Sequence, residues 1–453
     1  MLKIFRRFKY VALSLALLAL VAGAADAFSP NPHEWRRYAS SARGADDRTQ
    51  YVPHAEEVVA AGDKIYGLYT LRGGDYPNFS YKAAEIVEFD AELNKTRSVK
   101  LEGASGNAGK NAEKMAYHDG KLYVACMGGA QVTGTWGSVW EVNTADMTAR
   151  RLLDAKTLSA FADAPDALVH SIAVAKDGTA YLLVIAYMED YSATAKLYVT
   201  DVTKLSNGDA GTAHDLTGVG YSWGLAYGEE AQTLWCMTGS ELQARDKSGA
   251  LVKTFTPQDL GNNIGSIAPL ADTGSGKPGL FYTASAPDYS GSSTGVVTKD
   301  GTAFTVSDTR ANYGSDIRAF AYADADGAKR VLVRDAMFTG ADTVYVWDVA
   351  NWTTPILNEQ GSYANVHGAV ASGQYLYLAA YDRLKADGSI ESKGEFVRLD
   401  MKNAHKRDKT YGLESVVDGL AKGEAAMASP DLPAGAPANV EAIKPSLVAS
   451  ADF

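Results

Sequence analysis

The sequence predicts an all-β fold, a seven-bladed β-propeller of four-stranded antiparallel blades. A strand rich in aromatic and β-branched residues recurs seven times along the chain, and seven later strands each end at an Asp or Asn. Successive Asp or Asn positions are 45 to 58 residues apart. That period is typical of a propeller blade, which is one four-stranded unit.

The recurring strands define the blades in order. The aromatic strands are flanked by Gly and Asp turn formers and are centred on Tyr66, Tyr123, Tyr181, Trp235, Tyr282, Leu332 and Tyr377. The later strands end at Asp90, Asn143, Asp201, Asp246, Asp300, Asp348 and Asp400. We expect these Asx side chains to bond the backbone of the hairpin between third and fourth strands, and not to be catalytic carboxylates. Because one blade cannot bury both of its faces, we expect neighbouring blades to stack and the ring to close.

The flanks of the repeat differ from the ring. Residues 1–27 begin with four basic residues in the first ten, followed by the 13-residue apolar run Val11 to Gly23. This pattern predicts a cleaved signal peptide and an exported protein, periplasmic or secreted, without stable membrane insertion; an uncleaved anchor is the alternative. We expect an N-terminal extension at 28–50, the propeller at 51–415 and a disordered Ala/Pro-rich tail at 416–453.

Composition excludes several functional classes. The 453 residues include 43 Lys+Arg and 54 Asp+Glu, a net charge of −11, which argues against a nucleic-acid partner. Two cysteines are too few for a disulfide scaffold or the usual zinc and iron–sulfur sites, and we expect no metal and no cofactor. Cys126 and Cys236 fall in second strands of blades 2 and 4, so we expect no disulfide between them.

The second blade carries a resemblance to known propellers. The segments DGKLYVACMGG (119–129) and GSVWEVNTADMTARRL (137–152) resemble the YVTN and lactonase-like group of seven-bladed propellers, whose repeat has an Asp-Gly turn, a Tyr-Val strand and a strand ending in Asp. The block is also similar to a kelch repeat, although its glycine doublet recurs only at Gly73-Gly74. The resemblance implies a fold, and it assigns no catalytic residue.

One ring of residues is a candidate site. In a propeller, the loops that enter first strands and those between second and third strands open on one face. The residues at the starts of the first strands are Glu56, Glu113, His170, Trp223, Arg318 and His367, with Asn262 and Asn263 slightly earlier in blade 5. Equivalent positions with such different side chains do not share one structural role, which indicates a small-ligand site. The alternative is that these side chains are simply solvated at a wide channel entrance.

The loops after the second strands belong to the same face. Asp-Tyr pairs recur there in blades 1, 3 and 5, as Asp75, Tyr76, Asp190, Tyr191, Asp288 and Tyr289. Tyr offers an amphipathic surface and Asp offers acceptors, a combination that suits sugars, peptides or protein partners. Turn chemistry at the blade edge is the alternative interpretation.

These observations favour a binding module that holds a polar small ligand, glycan, peptide or protein partner on the channel face. No HExxH, GxSxG or CxxCH motif is present. The second hypothesis is a lactonase or hydrolase-type enzyme with Glu113, His170 or His367 as general acid or base and Arg318 stabilising negative charge. A third is a surface scaffold whose loop tips contact partners.

Overall fold

The computed structural model describes most of the repeat region. The described residues are 52–73, 80–103, 108–128, 136–162, 164, 167–187, 193–218, 222–286, 291–313, 316–336, 343–360, 366–380, 383–384, 390–392 and 394–413. The predicted signal peptide, the N-terminal extension and the whole of the predicted tail lie outside these ranges.

The first three blades are antiparallel sheets built from consecutive strands. Blade 1 consists of β1 (Val52–Ala61), β2 (Lys64–Gly73), the short β3 (Ser80–Tyr81) beside β2, β4 (Glu85–Phe89) and β5 (Lys95–Lys100). Blade 2 consists of β6 (Ala112–His118), β7 (Lys121–Cys126), β8 (Ser138–Asn143) and β9 (Thr148–Asp154). Blade 3 consists of β10 (Leu168–Val174), β11 (Thr179–Tyr187), β12 (Ala193–Asp201) and β13 (Thr212–Leu216).

The remaining four blades follow the same order. Blade 4 consists of β14 (Ser222–Gly228), β15 (Thr233–Gly239), β16 (Glu241–Arg245) and β17 (Leu251–Phe255). Blade 5 consists of β18 (Asn263–Leu270), β19 (Gly279–Ser285), β20 (Ser292–Asp300) and β21 (Ala303–Tyr313). Blade 6 consists of β22 (Asp316–Ala323), β23 (Lys329–Ala336), β24 (Thr343–Asp348) and β25 (Leu357–Gln360). Blade 7 consists of β26 (Val366–Ser372), β27 (Tyr375–Ala380), β30 (Glu395–Asp400) and β31 (Lys406–Gly412), with the separate ribbon β28 (Arg383–Leu384) and β29 (Ile390–Ser392).

Helices are few and short. The described residues contain α1 (Val202–Leu205) and α2 (Pro257–Leu260), together with 3₁₀ turns at Ala155–Thr157, Ser159–Phe161 and Met401–Asn403. In this part of the chain no helix has both the length and the hydrophobicity needed to cross a bilayer. The predicted all-β, seven-bladed architecture is therefore confirmed.

The hydrophobic core is divided among the interfaces between blades. The described residues form seven buried apolar clusters, and each cluster joins two neighbouring blades. Side chains alternate along each second strand, so Leu122 packs towards blade 1 while Tyr123 packs towards blade 3. Cys126 and Cys236 are free, fully buried members of two different clusters, and burial raises the pKa of the Cys236 thiol to about 12.

The Asx positions at the ends of the third strands act as predicted in six blades. In blade 1, Asp90 Oδ1 accepts hydrogen bonds from the backbone N–H groups of Glu92 and Asn94, each at 2.9 Å. The equivalent side chains of Asn143, Asp201, Asp246, Asp348 and Asp400 accept from the N–H two residues ahead. Asp300 differs because a tight hairpin pairs it directly with Ala303, and its carboxylate instead binds Lys277.

Blade 5 also departs from the predicted equivalence of second strands. The aromatic residue facing the next blade is Phe281, whereas Tyr282 packs against blade 4 and donates its hydroxyl to the Leu260 carbonyl. A shift of one residue along a strand exchanges its two faces, so this misassignment reverses the direction of the side chain.

The ring closes by packing between blades 7 and 1. The first strand of every blade contacts the first strands of its two neighbours, including β26 with β1. No sheet of the described residues combines strands from the two ends of the repeat. Phe396 of blade 7 packs on Phe89 of blade 1, with ring centroids 5.4 Å apart, and the Tyr377 hydroxyl donates to the Ala91 carbonyl at 2.7 Å. Side-chain packing and hydrogen bonds therefore join the ends.

A glycine pair tests this closure. A Cβ added at Gly368 would lie 2.9 Å from Glu57 Cα and 3.0 Å from Val58 N, whereas one at Gly412 has no neighbour within 4 Å. We expect Gly368→Ala to lower the free energy of unfolding by roughly 1–3 kcal/mol because backbone must move apart. Gly412→Ala, in the same blade, should change it by less than about 0.5 kcal/mol. Urea unfolding measures both, and equal effects would contradict the tight contact between blades 7 and 1.

Candidate functional site

A cavity of about 240 Å³ lies at the centre of the ring, lined by residues from all seven blades. Five of the six residues predicted at the starts of first strands line it: Glu113, His170, Trp223, Arg318 and His367. The sixth, Glu56, is buried beside the cavity with its Oε2 3.3 Å from His367 Nδ1. The structure thus brings together the residues of this ring.

Bulges in the first strands explain how several of these residues reach the centre. The pairing of first with second strands skips one residue in five blades: Glu56, Glu113, His170, Gly265 and His367. A β-bulge interrupts the regular alternation of side chains, so successive residues such as Glu113 and Lys114 both line the cavity. The blade 5 equivalent is therefore Gly265, which follows Asn262 and Asn263, the residues predicted slightly earlier in this blade.

Trp223 and Arg318 come from first strands without a bulge. Their partners in the second strands are Thr238 and Arg334, and the registers around them are regular. Arg334 is completely buried, so blade 6 places two guanidinium groups on neighbouring strands close to the cavity.

Polar contacts join blades around the cavity. Lys114 Nζ of blade 2 lies 2.9 Å from Glu57 Oε2 of blade 1. Arg318 Nη1 of blade 6 lies 2.8 Å from His367 Nδ1 of blade 7. Because a guanidinium can only donate, Nδ1 accepts this hydrogen bond and the neutral ring carries its proton on Nε2. Thr70 donates its hydroxyl to Glu56 Oε1 at 3.1 Å.

The histidines near the cavity are held neutral. Burial, followed by the cations Lys114 and Arg318, lowers the pKa of His170 to about 4. Burial, followed by Arg318 and Arg334, holds the pKa of His367 well below its usual value. The described residues contain no group of three or more His, Cys, Asp or Glu arranged to hold a metal ion.

Burial argues against the interpretation of solvated side chains for four of the six ring residues. Glu56, His170, Trp223 and His367 are each exposed by 7% or less. His170 Nδ1 has no hydrogen-bond partner among the described residues. Burying a polar group costs free energy unless the group is paired, so His170 is placed at a cost to stability.

Sequence reasoning missed two charged residues of the cavity. Glu57 and Lys114 follow the bulged positions and line the cavity together. Their signal was the pair of consecutive polar residues at the start of a first strand, which is unusual for an inner strand with alternating side chains. The predicted Asp-Tyr residues, Asp75, Tyr76, Asp190, Tyr191, Asp288 and Tyr289, lie outside the described residues.

Comparison with known proteins gives only weak structural similarities. No family model and no curated protein matches the chain. Among solved structures, it is similar to a Mycobacterium tuberculosis puromycin-hydrolyzing peptidase at 11% identity and a TM-score of 0.45, covering 79% of this chain and 53% of the peptidase. The chain thus spans about half the length of that peptidase.

Two further structures match most of their own length. The β-propeller domain of the Trilobed protease from Pyrococcus furiosus is 10% identical, with a TM-score of 0.46, covering 80% of this chain and 98% of that domain. A protein from Lactobacillus plantarum is 13% identical, with a TM-score of 0.46, covering 80% and 95%. Because these similarities are weak, the architecture rests on the strand pairing of the chain itself.

The neutral state of His170 predicts a pH dependence of stability. Its pKa in the folded protein, about 4, lies below the ordinary value of 6.5, so the unfolded chain binds the proton more readily. Stability is therefore lost as pH falls from about 6.5 towards 4. Between pH 7 and pH 5, we expect the free energy of unfolding to fall by about 2 kcal/mol less in His170→Gln than in wild type.

Urea unfolding at the two pH values measures this difference. His118→Gln, at the β6–β7 hairpin, is the matched control and should leave the loss between pH 7 and pH 5 close to that of wild type. An unchanged pH dependence in His170→Gln would show that His170 is not a buried, neutral group.

Proposed function

We propose that this protein is an exported binding module that holds a small polar ligand in its central cavity. The observation that carries the proposal is the convergence of different polar side chains, from structurally equivalent positions, on one central cavity. Apolar clusters between the blades already hold the fold together. Ionisable residues at the centre therefore reduce stability relative to apolar ones, which is characteristic of functional positions.

The dimensions of the cavity limit the ligand. Its volume of about 240 Å³ lies just below the range of about 300–1,000 Å³ that is typical of small-molecule pockets. This space suits a monosaccharide, a short organic acid, an amino acid or a very short peptide. A folded protein domain cannot enter it, so a protein partner would contact the rim of the channel face and not the cavity.

The state of the histidines favours binding over hydrolysis. A general base works best when its pKa is close to the working pH, and His170, with a pKa of about 4, is a weak base near pH 7. The Nδ1 atom of His367 already accepts a hydrogen bond from Arg318. Both imidazoles are better suited to orienting a ligand than to removing a proton. Export is proposed from the N-terminal sequence pattern.

Substitution of Arg318 tests the proposed site. A thermal-shift screen of sugars, organic acids, amino acids and short peptides should identify a ligand that raises the unfolding temperature, because ligands specific for the native state stabilise it. We expect Arg318→Ala to weaken the affinity for that ligand by about 10- to 100-fold, from the loss of a charged hydrogen bond. Titration calorimetry measures the change.

Arg151→Ala is the matched control. Arg151 lies on the outer strand of blade 2, where it pairs with Asp154 away from the cavity, and its loss should leave affinity unchanged. Equal affinity in wild type and Arg318→Ala would place the ligand elsewhere. Turnover of a lactone or ester panel by wild type, lost in His170→Gln, would instead establish the hydrolase hypothesis.

A further inference from the structure

The lining of the cavity changes from polar to apolar along the axis of the ring, and this change restricts the ligand; the inference rests on the proposed function. The first strands lie side by side around the centre, and strand pairing aligns them. In each blade one first-strand residue pairs with the second-strand residue directly after the one that packs on the next blade, as Met115 pairs with Val124 after Tyr123. We call these aligned residues the floor level.

The floor level is apolar in all seven blades. Its members in blades 1 and 7 are Val58 and Ala369. The other five members all line the cavity: Met115, Ile172, Leu225, Ile267 and Ala319. Phe320, one residue further along its strand, lines the cavity as well. The deep end of the cavity is therefore surrounded by hydrocarbon.

The levels nearer the starts of the first strands are mostly polar. One residue before the floor level, the cavity is lined by Glu57, Lys114, Ser171, Gly224, Ser266 and Arg318. The bulged residues Glu113, His170 and His367 come before these and also line the cavity. Because a strand advances about 3.3 Å per residue, about 3 to 7 Å separates the polar levels from the apolar one.

The charged residues of the polar levels interact within the protein. Lys114 pairs with Glu57 at 2.9 Å, and Arg318 contacts His367 at 2.8 Å. Three further charged residues in or beside the cavity also have interactions within the protein: Glu56, Glu113 and Arg334. Because all of these groups are already engaged, their charges do not require a charge on the ligand.

His170 supplies a hydrogen-bonding group that a ligand would complete. It is more than nine-tenths buried and lines the cavity, and its Nδ1 atom has no hydrogen-bond partner among the described residues. Each nitrogen of a neutral imidazole either donates or accepts one hydrogen bond. An uncharged group with both a donor and an acceptor, such as a primary amide, can satisfy this atom in either tautomer.

The apolar side of the cavity is only partly covered by the protein. Four residues of blades 4 to 6, which we call the apolar wall, line the cavity and are partly buried: Leu225, Met237, Ile267 and Phe320. Gly224 makes room for Met237, whose Cε lies 2.6 Å from the position that a Cβ at Gly224 would take. Blades 4 and 5 contribute no charged residue to the described lining. Hydrocarbon of a ligand would cover this surface and remove it from water.

We propose that the cavity binds a small uncharged amphipathic molecule, with its polar end at His170 and a short hydrocarbon end on the apolar wall. The chemical class that fits is a primary amide or alcohol with an aliphatic group of a few carbons. Arg318, one level before the floor, contacts the polar end, and the floor level surrounds the hydrocarbon end.

Primary amides of increasing chain length test the apolar end. NMR titration at pH 7 would give the dissociation constants of acetamide, propanamide, butanamide and pentanamide. We expect affinity to rise about fourfold with each added methylene, because each one is buried against the apolar wall. Pentanoate, the carboxylate of the same chain length, should bind more weakly than pentanamide.

Variants assign the two ends to residues. Ile267→Thr places a hydroxyl in the apolar wall and should reduce the gain per methylene to about twofold. Val174→Thr is the matched control: Val174 is a partly buried first-strand residue outside the described lining, and its substitution should keep the fourfold gain. His170→Leu should weaken every amide by about 2- to 10-fold and leave the gain per methylene unchanged. The series in wild type decides the ligand class even if a variant fails to fold.

The outcomes separate this inference from the proposed function. Affinity that does not depend on chain length would overturn the amphipathic ligand, and so would tighter binding of pentanoate or of a monosaccharide than of pentanamide, or no binding of any amide. A fourfold gain that persists in Ile267→Thr would also overturn it. In each case Arg318-dependent binding of another compound would leave the binding site standing. Absence of Arg318-dependent binding for every compound of the screen and of the amide series would overturn the proposed function as well.

Discussion

The structure depends on one constraint: both faces of every blade are apolar and must be covered by a neighbour. The seven buried clusters of the described residues each lie between two blades, and the second strands contribute side chains to both adjacent clusters. A ring is the arrangement in which no blade has an uncovered face. The contact between blades 7 and 1 completes it through Phe89, Phe396 and the Tyr377 hydroxyl, without a shared sheet.

The same constraint determines where polar groups can be placed. Between the blades an ionisable side chain would displace apolar contact, whereas at the centre the first strands face each other across a cavity. Bulges at Glu56, Glu113, His170 and His367 release these residues from strict alternation, so they leave the clusters intact. The apolar side chains between blades therefore provide stability, and the bulged positions of the first strands provide the chemistry of the site.

The repeat made the fold predictable, because period and strand character are local properties of sequence. Counting from the start of each first strand predicted that three positions are equivalent: Glu113, His170 and His367. The structure has a bulge at each of them. In blade 5 the pattern was centred on Tyr282 instead of Phe281, because two adjacent aromatic residues fit it equally well. The Lys114–Glu57 and Arg318–His367 contacts join different blades, and their distances depend on how the blades pack, which periodicity does not encode.

The cavity and the contact that closes the ring are mechanically connected. Glu56 of blade 1 lies 3.3 Å from His367 of blade 7, and the adjacent Gly368 packs against the Glu57 backbone. His367 in turn holds Arg318 through its Nδ1 atom. A shift of blade 7 relative to blade 1 would therefore move His367 and change the position of Arg318. A ligand that contacts both blade 2 and blade 6 spans this junction, so its binding free energy also resists opening of the ring.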